Sequence, residues 1–114
     1  MTQSQPTVSM LAAKRCEACQ PGMPPVDDRA AAEYLKALPG WERRGNEIVK
    51  LFTFKNYYET MAFVNAIAWI SHKEDHHPDL EVGYNKCQVH YSTHAVKGLS
   101  QNDFICAAKI EQLL

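Results

Sequence analysis

An excess of charge of either sign is the first thing missing. Lys plus Arg number 12 and Asp plus Glu 13 among 114 residues, a formal net charge of -1. Proteins that grip nucleic acid or an anionic membrane carry a basic surplus, so neither partner is expected. Long apolar runs are missing too. The longest, residues 61–70, is interrupted by Asn65 and is about half of what a bilayer span needs. The apolar patch near the N-terminus, residues 10–13, has Lys14 after it rather than before it, the reverse of a secretory signal. The cytoplasm is the expected address. The five glycines are scattered singly, so no Gly-rich loop is available to cradle a phosphate. No G-x-S-x-G nucleophile elbow occurs. Cysteine is sparse: four residues, which in a cytoplasmic protein are free thiols by default.

What is present is an ordinary globular composition, 46% hydrophobic and 22% charged, at a length that fits one domain. Residues 1–25 are rich in Gln, Ser, Thr, Pro and Gly without an apolar period, and read as a flexible arm ahead of a single domain over residues 26–114. Cys16-Glu17-Ala18-Cys19 in this arm is half of a zinc pattern, but Cys87 and Cys106 are solitary and a zinc site needs four ligands. A pair of exposed thiols is the favoured reading.

Within the domain, Asp27 is a good N-cap, and Ala31, Tyr34, Leu35 and Leu38 share one face of a helix. Pro39-Gly40 ends it. Two extended runs follow, 41–44 and 47–54, joined at Gly45-Asn46, a hairpin signal. Lys50 breaks the alternation of the second run. Asn56, with Glu59 three residues on, opens a long helix that ends near His76, because Pro78 disfavours helical geometry before it. Leu80, Val82 and Tyr84 alternate as a strand. Cys87, Val89, Tyr91 and Thr93 form the core side of its return, with Gln88, His90, Ser92 and His94 on the other. Ser100 caps a last helix, with Asp103 in the capping-box position and Phe104, Ile105, Ala107, Ala108 and Leu113 on its apolar side. The order α-β-β-α-β-β-α predicts an α+β fold, a four-stranded antiparallel sheet with three helices packed on one face. The long helix is apolar on two sides: Phe63, Ile67 and Ile70 form one stripe, and Met61, Val64 and Ala68 another. A homodimer or homotetramer is therefore expected.

All five histidines lie between His72 and His94. His90 has nothing to distinguish it from a surface residue, and His72 belongs on a solvated helix face. His76 and His77 stand where the long helix ends, a position whose dipole favours a protonated ring, and histidine suits proton transfer near neutral pH. A metal on His72 and His76 is the competing arrangement. The residue after His72 is Lys73, however, where a zincin has Glu, so no metal is expected. Tyr84 is either core or a stacking platform. Asp103 is by default a helix cap and can also orient a histidine.

The series His76-His77-Pro78, Tyr84, His94 and Asp103, with Ser92-Thr93-His94 and Gly98-Leu99-Ser100, resembles the signature of the pterin-4a-carbinolamine dehydratase family over about residues 27–114. The resemblance implies dehydration of 4a-hydroxytetrahydropterin to quinonoid dihydropterin, recycling the pterin used by aromatic amino acid hydroxylases, with no metal or cofactor of the enzyme's own. It implies catalytic roles for His76, His77 and His94, and pterin binding by His77, Pro78, Tyr84 and Asp103. It also implies dimers or tetramers. Some members serve as dimerisation partners of a transcription factor, so a non-catalytic binding module of the same fold is the alternative.

Overall fold

The computed structural model describes residues 6–114. Residues 1–5 of the expected arm lie outside the described residues. The elements run α1 (Val8–Ala12), α2 (Asp28–Lys36), β1 (Glu42–Arg44), β2 (Glu47–Thr53), α3 (Tyr57–Glu74), β3 (Asp79–Val82), β4 (Lys86–Tyr91), a 3-10 turn (His94–Val96) and α4 (Gln101–Glu111). The four strands form one antiparallel sheet in the order β1-β2-β4-β3. The α+β architecture and the order of its main elements are those expected from sequence, with one helix more.

Local chemistry accounts for each boundary. Asp27 Oδ1 accepts the Ala30 amide at 2.8 Å, and Asn56 Oδ1 accepts the Glu59 amide at 2.9 Å, so both helices begin at the residues whose side chains satisfy their free donors. Gly45 takes φ 62 in the β1–β2 turn, a left-handed conformation that glycine adopts without penalty. Asp75 closes α3 in the same region, at φ 51 and ψ 43.

The core lies between one sheet face and the helices. Ile48 and Phe52 of β2 and Cys87, Val89 and Tyr91 of β4 meet Ala31, Leu38, Phe63, Ile67, Phe104 and Ala108. Tyr34 stacks on Phe104 at 4.8 Å between ring centres. Lys50, which breaks the β2 pattern, points to this same face and is paired there with Glu111, which also accepts Trp41 Nε1–H at 2.8 Å.

α4 is buried almost all round, from Asn102 to Ala108 and at Ile110. Its inner side covers the sheet and α3, and the residual side is covered by α1, whose Leu11 is 1% exposed. The docking of α1 was not apparent in the sequence. Leu113, expected on the apolar side of α4, is 43% exposed beyond the helix end. Of the two stripes on α3, Phe63 and Ile67 are buried in the core. Met61 and Val64 are half-buried and Ala68 is exposed. No helix among the described residues is long and apolar enough to cross a membrane.

Candidate active site

The end of α3 and the loop after β4 meet at α4, and Asp103 is the point of contact. Its side chain is fully buried. Asp103 Oδ2 accepts the Ser100 amide at 2.9 Å and Thr93 Oγ1–H at 2.8 Å, while Oδ1 lies 2.6 Å from His76 Nε2. Ser100 Oγ is 2.7 Å from Thr93 Oγ1; with the Thr93 proton on Asp103, the Ser100 hydroxyl donates into this contact. One carboxylate thus caps α4, fixes the residue before His94 and orients His76. A carboxylate can only accept here, so His76 Nε2 carries the hydrogen, and in the neutral ring the lone pair is then on Nδ1.

The His76 ring is held from behind as well. It stacks on Tyr91 with 5.7 Å between centres and an interplanar angle of 11°. Tyr91 is fully buried, and its hydroxyl has no hydrogen-bond partner among the described residues. Burial, first of all, holds this phenol far above its ordinary range, so it remains a neutral platform. The left-handed Asp75 turns the chain out of α3, which places His76 and His77 across the sheet end rather than on the helix surface. That turn also ends the helical relation between His72 and His76. His72 is exposed and stacks on Trp69 at 5.6 Å. No group of His, Cys, Asp or Glu among the described residues is arranged to hold a metal ion.

A cleft of about 370 Å³ brings His76, His77 and His94 together, with Asp75, Asp79, His90, Ser92 and Thr93 completing its wall. This volume is within the range of small-molecule sites, about 300–1,000 Å³. His77 and His94 are exposed at its rim, and Pro78, half-buried, starts the turn into β3. The His77 Nδ1 contact to the Pro78 carbonyl, 3.5 Å, is too long to fix the ring. Tyr84 is not brought to this cleft within one chain. It lies in the turn between β3 and β4, 66% exposed, and its carbonyl accepts Thr60 Oγ1–H at 3.0 Å near the start of α3. The 18 residues of α3 separate that end from the histidines by about 27 Å at 1.5 Å per residue.

Other wall residues were unmarked by the sequence. His90, read there as a plain surface residue, has Nδ1 at 2.9 Å from Glu47 Oε1 and Nε2 at 2.7 Å from Glu81 Oε2. Burial alone would lower its pKa, but the hydrogen bonds and charges of Glu47 and Glu81 outweigh that and raise it. Tyr91 and Thr93 read only as core positions. A second cleft, about 330 Å³, adjoins His76 on its other side and is walled by Cys16, Glu17, Ala18 and Cys19 from the N-terminal segment. The anchor of that segment is Glu74, whose side chain is 3% exposed: it accepts the Cys16 amide at 2.8 Å and pairs with Arg15 at 3.0 Å. Burial works against the Glu74 charge, yet the Cys16 amide, Lys109 and Arg15 together hold its pKa below the ordinary value.

The family model for pterin 4 alpha carbinolamine dehydratase matches residues 24–113. A protein of Nitrosospira multiformis bearing the name "Putative pterin-4-alpha-carbinolamine dehydratase" is 60% identical over 107 residues, covering 94% of this chain and 95% of that protein. One of the same name from Nitrosomonas eutropha is 58% identical over 105 residues, covering 91% and 93%. Among solved structures, a transcriptional coactivator/pterin dehydratase from Brucella melitensis superposes with a TM-score of 0.76 at 28% identity, covering 78% of this chain and 97% of the other. A pterin dehydratase-like protein identified as a RuBisCO assembly factor in the alpha-carboxysome shares the fold, with a TM-score of 0.54 at 22% identity over 64% and 84% of the two chains.

Proposed function

Because the chain belongs to the pterin 4 alpha carbinolamine dehydratase family, we propose that it removes water from a 4a-hydroxytetrahydropterin to give quinonoid dihydropterin, returning the pterin of an aromatic amino acid hydroxylase to its cycle in the cytoplasm. The observation that carries this reading is the His76–Asp103 contact of 2.6 Å beside a cleft shared with His77 and His94.

The reaction breaks the C4a–O bond, with the electron pair leaving on oxygen, and forms the C4a=N5 double bond from the N5–H electrons. It needs one proton delivered to the hydroxyl and one taken from N5. His76, with Nε2–H committed to Asp103, presents a free Nδ1 lone pair and is assigned the base. His94, across the cleft, is assigned the acid. His77, unrestrained at the rim, holds the polar edge of the pterin beside Pro78. Each proton transfer of this kind contributes about 10²–10⁴-fold. The residues need no metal or organic cofactor for these steps.

The half-buried Met61 and the 63% exposed Trp69 on α3, with Val64 beside them at the edge of the chain's own core, support a homodimer or homotetramer built on that helix, since leaving large apolar groups wet forfeits about 1.5–3 kcal/mol for each. A second reading, a binding module with a partner protein, is supported by the coactivator named for the Brucella structure. One experiment separates the two: the protein is added to a running phenylalanine hydroxylase reaction and the 4a-hydroxypterin absorbance is followed. The dehydratase lowers its steady-state level. A binding module leaves it unchanged.

A further inference from the structure

Beside His76, the N-terminal segment carries a pair of thiols that the proposed chemistry does not use. Cys16 Sγ lies 3.5 Å from Cys106 Sγ across a separation of 90 positions in the chain. Both are free. Cys106 is fully buried on α4, whereas Cys16 is half-buried and faces the second cleft.

The approach is held by the neighbours of Cys16. Besides the Glu74 bond to the Cys16 amide, Asn102 clasps the next residue twice: its Oδ1 accepts the Glu17 amide at 3.0 Å and its Nδ2 donates to the Glu17 carbonyl at 2.7 Å. Lys109 Nζ donates to the Ala12 carbonyl at 2.6 Å. The sulfurs are therefore kept about 1.5 Å beyond a bonded separation of about 2.0 Å. Cys19, the other half of the C-x-x-C, is engaged elsewhere, accepting from Asn102 Nδ2 at 3.6 Å.

We propose that Cys16 and Cys106 form a reversible disulfide when the protein meets a hydroperoxide, latching the N-terminal segment onto α4 as a fixed wall of the cleft next to His76. The Cys16 sulfur attacks the peroxide O–O bond. The peroxide is reduced to an alcohol, or to water if it is hydrogen peroxide, and Cys16 is oxidised to the sulfenic acid. The Cys106 sulfur then attacks the Cys16 sulfur: the S–S bond forms, the S–O bond breaks, and the Cys106 proton leaves with the hydroxyl as water. Two thiols and one hydroperoxide thus give one disulfide, one alcohol or water, and one further water. The order follows from access: Cys16 is half-buried at the second cleft, whereas Cys106 is fully buried behind it, against the Cys16 sulfur. A dithiol reductant reverses the step. The cross-link does not depend on the dehydratase reading.

The test is peroxide treatment of the purified full chain, alkylation, and peptide mass mapping without reduction. The expected product is a Cys16–Cys106 peptide pair lacking two hydrogens, abolished by dithiothreitol and by Cys16→Ser and retained in Cys19→Ser. Amides of residues 14–19 should exchange more slowly in the oxidised protein. Cys106→Ala guards against a variant that fails to fold with serine in the core, and should stop at a dimedone-reactive sulfenic acid on Cys16. A Cys16–Cys19 disulfide, a sulfinic acid on Cys16 with Cys106 still free, or four unmodified thiols would each overturn the proposal.

Discussion

Replacing Asp103 by Asn changes one oxygen to an amide nitrogen at the centre of the site. The side chain keeps its shape, so the consequence can be followed bond by bond. The remaining oxygen can stay on the Ser100 amide and Thr93 hydroxyl, which Oδ2 now accepts at 2.9 and 2.8 Å. The new NH2 then faces His76 Nε2, at the 2.6 Å contact of the wild type. Two donors cannot share that contact, so the ring must move its hydrogen to Nδ1 and accept at Nε2. Nδ1, the nitrogen assigned to the substrate proton, becomes an N–H and loses its lone pair. Activity should fall by about 10²–10⁴-fold, the usual worth of one positioned base. Hydrogen bonds to a charged group are worth about 1.5–3 kcal/mol and neutral ones about 0.5–1.5. The difference is about 1–1.5 kcal/mol per bond, so the three bonds of Asp103 together should cost about 3–4.5 kcal/mol, a large part of the roughly 5–15 kcal/mol of a small domain. Dehydration kinetics and a denaturant titration on the same preparation measure the two effects, and the imidazole nitrogen shifts of His76 report the tautomer. A folded Asp103→Asn protein with near wild-type turnover would refute the assignment of His76 as the base. Asp103→Ala is less informative, since it strands three donors in the core.

Four further outcomes are expected. His76→Ala or His94→Ala should each lower dehydration by about 10²–10⁴-fold, while His72→Ala, on the exposed side of α3, should leave it within a factor of about two. His90 should make the fold pH-sensitive. Its pKa is raised above the ordinary 6.5, so its pairing with Glu47 and Glu81 stabilises fully below that value and is lost as pH rises through the raised one. Denaturant midpoints on either side of that interval should differ more for the wild type than for His90→Gln. Chelation with EDTA should leave turnover unchanged, and a loss restored by zinc would overturn the metal-free mechanism. Light scattering at micromolar protein should give a multiple of 12.9 kDa, with Val64→Glu returning the mass to the monomer and Ile67→Glu damaging the fold instead.

How far the sequence could be read depended on whether a feature was local. The alternation of Cys87, Val89, Tyr91 and Thr93 was legible because side-chain direction has period two in a strand, and all four are buried. Asn56, Asp27 and Asp103 announced their helices because capping acts over three residues. His76 and His77 stood out at the end of the long helix, while His94 joined them only through the resemblance to the dehydratase signature; the structure gathers all three at one cleft. The partner that orients His76 was only one of two options for Asp103, since the hydrogen bond crosses from α3 to α4. Tyr91 behind His76 looked like any core residue. The docking of residues 8–19 left little trace because it rests on few apolar groups, chiefly Leu11, and on Glu74, Asn102 and Lys109. None of these three polar residues is near the segment in sequence. Tyr84 failed to join the histidines for a geometric reason: a hairpin returns its own ends together and carries its turn away from them.

The most direct test is a stopped-flow measurement on 4a-hydroxytetrahydropterin formed before mixing, with its absorbance decay recorded at increasing protein concentration. The decay constant is predicted to rise in proportion to wild-type protein and to stay near the spontaneous value with His76→Ala. A decay constant independent of wild-type protein would contradict the dehydratase reading outright.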